Sequence, residues 1–122
     1  MARIELGDSD VTLHLSPWDE VLALHGSMRV PYSHILSASA DPVDAVAFRG
    51  IKIGTNIPGV KVAGTFLTAD GAIFYDFHDG QRCLTLQLDH ERYRRVVVEV
   101  DSDQDPATLA AEIEARLAGG ND

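Results

Sequence analysis

The sequence has one cysteine, Cys83, only two lysines, Lys52 and Lys61, and no long apolar run. A lone cysteine forms no internal disulfide, so stability has to come from a hydrophobic core. Nothing approaches the roughly 18 consecutive apolar residues of a membrane helix. The first residues, Met1 to Asp8, lack the apolar segment of a secretion signal, so the expected location is the cytoplasm. Ten Lys and Arg stand against nineteen Asp and Glu, a formal net charge of −9. Nucleic acids and anionic membranes are held by clustered cations that displace counterions, and neither is an expected partner. The one basic cluster is Arg92, Arg94 and Arg95 around Tyr93. It sits among Asp89, Glu91 and Glu99 and reads as the solvated end of a strand.

Catalytic and metal signatures are also missing. Asp101, Asp103, Asp105 and Glu112 imitate the carboxylate spacing of a calcium loop, but Pro106 stands where such a loop needs glycine. No GxxxxGK[ST], GxGxxG or GxSxG occurs. The histidines, His14, His25, His34, His78 and His90, show neither His-x-His nor HExxH spacing, so no metal or cofactor is expected. Cys83 has only Arg82 as a neighbouring cation, too little to mark a reactive thiol. His78 with Asp76 is the pair a small hydrolase or isomerase would use, a third-ranked reading. No residue is assigned as catalytic.

What is present is alternation with period two. Val11, Leu13 and Leu15 alternate with Thr12 and His14. Ile73, Tyr75 and Phe77 alternate with Asp76 and His78, and Leu84, Leu86 and Leu88 with Thr85, Gln87 and Asp89. Val96, Val98 and Val100 face away from Arg95, Val97, Glu99 and Asp101. Such runs predict strands with one buried and one mostly wet face, paired antiparallel. Gly7-Asp8-Ser9-Asp10, Ala69-Asp70-Gly71 and His78-Asp79-Gly80-Gln81 supply turns, with Asp-Gly suited to tight hairpins.

Two helices interrupt the strands. A short one is expected near residues 17–25, capped by Ser16 with Pro17 in its first turn and ended by Gly26. A longer one is predicted after the cap Asp105, with Pro106 in the first turn, an apolar stripe of Leu109, Ile113 and Leu117, and an end at Gly119-Gly120. The chain therefore reads as one mainly β domain, residues 1–122. The expectation is about seven strands in two packed antiparallel sheets or a split barrel, capped by the C-terminal helix.

Arg49-Gly50-Ile51-Lys52-Ile53-Gly54-Thr55-Asn56-Ile57-Pro58-Gly59 reads as a long connection between sheets. With Lys61 it gathers cations and free backbone amides in an acidic protein. Arg49, Lys52, Thr55, Asn56 and Lys61 are accordingly the candidate ligand-binding residues, on the principle that loops on a rigid scaffold carry function.

The chain also resembles an uncharacterised bacterial family of pleckstrin-homology-like (PH-like) domains. The resemblance rests on Val30-Pro31-Tyr32-Ser33-His34-Ile35, Arg49-Gly50, Gly54-Thr55, Pro58-Gly59, Gly64-Thr65-Phe66 and Val96-Val97-Val98-Glu99-Val100 ahead of Asp105-Pro106. It implies a bent, partly open barrel whose far end is plugged by Leu109, Ile113 and Leu117. Phosphoinositide-binding relatives carry Lys and Arg around the first strand connection. Here that connection is the acidic Gly7-Asp8-Ser9-Asp10, so phosphoinositide is not an expected ligand. The leading functional expectation is a non-catalytic interaction module that binds protein, itself included, as a homo-oligomer. The alternative is a small-molecule-binding barrel using the 49–61 region.

Overall fold

The computed structural model describes residues 1–15, 27–43, 51–57 and 61–119, with the backbone alone for 51–57 and Lys61. The helix expected near 17–25, His25, Arg49 and Pro58-Gly59 lie outside the described residues.

The first three strands form one antiparallel sheet in sequence order: β1 (Ala2–Leu6), β2 (Asp10–Leu15) and β3 (Met28–Pro31). The expected turn joins β1 to β2, with the Gly7 amide donating to the Asp10 carbonyl at 2.8 Å. Ile4, Val11, Leu13, Leu15, Met28 and Val30 are buried on one face, and Arg3, His14 and Arg29 are exposed on the other. Here the period-two reading holds residue by residue.

The remaining strands are β4 (Ile35–Ser39), β5 (Ile51–Ile57), β6 (Lys61–Thr68), β7 (Gly71–Phe77), β8 (Cys83–Leu88) and β9 (Arg95–Glu99). They form a second sheet in the order β4-β8-β9-β7-β6-β5. The described residues thus hold nine strands rather than about seven. Of the two expected arrangements, the chain forms two sheets, of three and six strands and with one parallel pair, stitched at one point by a parallel bridge from Ala2 to Val100.

The second sheet corrects two sequence expectations. The Ala69-Asp70-Gly71 hairpin forms, with Gly71 at φ 125°, a conformation that favours glycine. His78-Asp79-Gly80-Gln81 makes no hairpin, because β9 inserts between β7 and β8 and runs parallel to β7. Residues Gly80–Arg82 form a 3-10 turn, capped by the Asp79 side chain accepting from the Gln81 amide at 3.0 Å.

The wet face expected of β7 and β9 is also absent. Phe74, Leu84, Leu86, Leu88, Val96, Val98 and Val100 join the core beneath the three-stranded sheet. Ile73, Tyr75, Phe77, Cys83 and Val97 form a second buried cluster with Val62 and Phe66 on the opposite face. A central strand in a parallel pair is covered on both sides, which is why Ile73-Phe74-Tyr75 and Val96-Val97-Val98 are apolar without a break.

The C-terminal helix, α1 (Pro106–Ala118), follows its prediction. The Asp105 carboxylate accepts from the Thr108 amide at 3.0 Å and from its hydroxyl at 2.7 Å. Leu109 and Ile113 are buried and Leu117 packs on the same core. The helix lies against β4 and β8, where Glu114 accepts the Ala38 amide at 2.7 Å. That bond occupies an outward amide of β4, the edge strand of its sheet.

Candidate functional site

Of the five ligand-binding candidates, the four among the described residues lie in strands rather than in a loop. Lys52, Thr55 and Asn56 lie within β5, in register with Phe66, Ala63 and Val62, and Lys61 opens β6 opposite Ile57. Arg49 falls outside the described residues. The segment is a strand because Ile51, Ile53, Thr55 and Ile57, alternating with Lys52, Gly54 and Asn56, form a β-branched series that suits a sheet more than an open connection.

Asp76 and His78 also part company. Asp76 is fully buried, in register with Ala63 and Val98 of the first core. His78 is half-exposed, and its Nδ1 meets the Glu99 carboxylate at 2.7 Å. Glu99 is buried and also accepts the backbone amides of His78 and Asp79, at 3.1 and 3.4 Å. These contacts satisfy a buried carboxylate at the strand end, as burial of a charge requires.

The other described histidines are likewise matched with acids: His14 with Glu5 at 2.8 Å, His34 with Glu91 at 2.6 Å and His90 with Asp89 at 3.1 Å. Among the described residues no three His, Cys, Asp or Glu side chains converge to hold a metal ion. Cys83 is buried, with its thiol 3.6 Å from the Asp79 carbonyl.

A cleft of about 190 Å³ opens between β3 and the β8–β9 connection. Met28, Val30, Leu88, Tyr93 and Val96 form its apolar floor, and Arg29, Glu91 and Arg92 its rim. The walls are well fixed. The Leu88 amide donates to the Arg94 carbonyl at 2.8 Å, the Asp89 amide to the His34 carbonyl at 2.9 Å and the Arg94 amide to the Ala72 carbonyl at 2.8 Å. Within this connection His90 holds φ at 62°, the left-handed region that few residues other than glycine adopt. The Tyr93 hydroxyl lies 3.0 Å from the Thr65 hydroxyl, and its ring stands 5.6 Å from that of Phe74.

Charge at the rim is uneven. Glu91 is engaged by His34, whereas the Arg92 guanidinium lies 5.4 Å from the centre of the Tyr93 ring, a cation–π contact. Arg29 is mostly exposed, with Nε 3.6 Å from Asp10.

The backbone of β3 completes the site. The Gly7-to-Asp10 bond fixes the alternation of the β1–β2 ladder, so Val11 and Leu13 direct their peptide groups at β3. Val30 and Met28 answer them, and the Arg29 N–H and C=O point outward from the edge.

Sequence reasoning passed over this site. Its only signal was the Arg92-Tyr93-Arg94-Arg95 cluster, which the fold disperses. Arg92 stays at the cleft, Arg94 packs beside Gly71 and Arg95 opens β9 with Nε 3.3 Å from Gln87. Of the apolar floor, Leu88 and Val96 stand in the alternating runs read from the sequence, whereas Met28 and Tyr93 carry no such signal; all four are buried in the fold.

No helix among the described residues is long and apolar enough to cross a membrane. No family model, curated protein or solved structure matches the chain.

Proposed function

We propose that the domain is a non-catalytic interaction module that binds its partner in the cleft between β3 and the β8–β9 connection. The observation that carries this reading is the Arg29 edge, to which no described strand pairs, beside an apolar floor. The outer edge of β1 is occupied at Ile4 by Gln104, and Ala38 of β4 is occupied by Glu114. Exposed strand edges recruit other chains, and natural folds normally cover them. The two sheets and closing helix support the PH-like resemblance in outline, while the parallel β7–β9 pair lies beyond what it implies.

The test is amide chemical-shift mapping of the labelled chain. It is titrated with small carboxylates, amines and neutral aromatics, and with short capped peptides. Shifts confined to Met28–Val30 and Leu88–Val96 are expected. Shifts elsewhere only, or none at millimolar concentration, would overturn the reading.

Self-association is the second reading, favoured by Leu36 and Leu67, 61% and 42% exposed on strands of the larger sheet. Light scattering on a size column is expected to give a dimer or larger species. A single 13.2 kDa species at high concentration would remove it.

A further inference from the structure

The occupant of the cleft can be narrowed by its size, its polar edge and its charge, an argument that rests on the cleft being the binding surface. Pockets that enclose a drug-sized ligand span roughly 300–1,000 Å³. The 190 Å³ here is smaller and half open, room for one large side chain. The edge beside it offers a donor and an acceptor from the same residue, Arg29, the pattern by which a strand takes an antiparallel neighbour. At Pro31 there is no N–H, so the pairing is short.

A second copy of β3 is a poor occupant. Antiparallel pairing centred on Arg29 would set its guanidinium against its own copy, and like charges directly opposite are destabilising. Charge points to an acidic chain instead. The rim carboxylate Glu91 is engaged by His34, and among the described residues no carboxylate bonds Arg92.

We infer that the occupant is an extended acidic peptide segment that adds as a strand to the Arg29 edge of β3, sinks one aliphatic or aromatic side chain into the cleft and sets a carboxylate against Arg92. Main-chain bonds give this mode its affinity, and the pocket gives its selectivity. Carboxylate contacts at an exposed rim weaken as salt rises.

The probe is an acetylated, amidated octapeptide alternating glutamate with valine around a central phenylalanine. Its affinity is measured by calorimetry against the intact chain. Replacing glutamate by lysine is expected to weaken binding by about tenfold, the sum of several rim charges. Arg92→Ala is expected to weaken it about three- to fivefold, with the unfolding midpoint lowered only by the loss of its exposed cation–π contact with Tyr93. One N-methyl group moved along the peptide should cost about three- to tenfold at the residue facing Arg29 and little elsewhere.

Equal binding of the lysine peptide, or indifference to N-methylation at every position, would overturn the inference. Phenylacetate binding as tightly as the peptide would overturn it too, making the cleft a small-carboxylate site. If fragments shift the cleft amides while the acidic peptide does not bind, this inference falls and the binding-cleft reading stands. If nothing shifts them, both fall.

Discussion

Gln104 serves as a strand partner for Ile4. Its Nε2 donates to the Ile4 carbonyl at 2.9 Å and its Oε1 accepts the Ile4 amide at 2.8 Å. One residue along, Arg3 grips Asp103 with two 3.0 Å bonds, and a residue further the Asp101 amide donates to the Ala2 carbonyl at 2.9 Å. The segment that imitates a calcium loop is in fact a stitch along the free edge of β1. It satisfies peptide groups that an open edge would leave to another chain.

Gln104→Ala is expected to lower the unfolding free energy by about 1–3 kcal/mol, since two part-buried backbone groups lose their partner. Gln104→Glu should cost at least as much, because a carboxylate would face the Ile4 carbonyl with no donor. Chemical denaturation measures both. An unchanged midpoint would mean that water replaces the amide without loss.

Gly80→Ala should be destabilising by about 1–3 kcal/mol, the usual cost of forcing atoms into filled space. A methyl group there would meet the Val43 carbonyl oxygen, and the Val43 amide already donates to the Gly80 carbonyl at 2.9 Å. Backbone atoms cannot swing aside as a side chain can. Thermal unfolding of the variant is the check, with wild-type behaviour the contrary result.

In α1, Ile113→Ala is expected to cost about 2–5 kcal/mol, as a fully buried side chain leaves a cavity. Leu117→Ala should cost clearly less, because Leu117 is only partly buried. Equal losses at the two positions in urea unfolding would contradict the packing described for the helix.

The phenols of Tyr32 and Tyr75 are both held above the ordinary 10.0 by burial, which outweighs the opposing pull of Arg116 on Tyr32 and of Arg95 on Tyr75. A pKa raised by folding means that the folded chain keeps protons the unfolded chain has lost. Stability from this source is therefore complete below pH 10 and falls as pH rises through the folded values. Asp105 behaves in the opposite sense. The Thr108 hydroxyl and then its amide lower the carboxyl below 3.8, so this contribution is present above that value and lost as acid protonates the folded group. Unfolding midpoints across pH 2–12 should show Tyr75→Phe flattening the alkaline limb and Asp105→Asn flattening the acid limb. Limbs that superimpose on wild type would refute the assignment.

Most of the local structure was readable in order along the chain. Leu84-Leu86-Leu88 against Thr85 and Gln87 marks one face of β8, and Asp105-Pro106 with Leu109 and Ile113 marks the start and buried stripe of α1. These signals are local, since alternation, capping and missing amides act within a few residues. The absence of a disulfide framework and the excess acidity are also properties of the sequence alone.

The partner of each strand was decided elsewhere. Nothing within Val96–Glu99 states that it slips between β7 and β8, or that Val97 meets Ile73, Tyr75 and Phe77 across a second core. Asp-Gly at 79–80 resembles a hairpin whether or not its flanking strands pair. The cleft likewise exists only because Met28–Val30 of β3 and Glu91–Tyr93 of the β8–β9 connection, some sixty residues apart in sequence, come side by side in the fold. A side-chain period fixes which face of a strand is apolar, whereas the neighbour that covers that face is chosen by contacts between residues distant in the chain, and those arise only when the sheets pack.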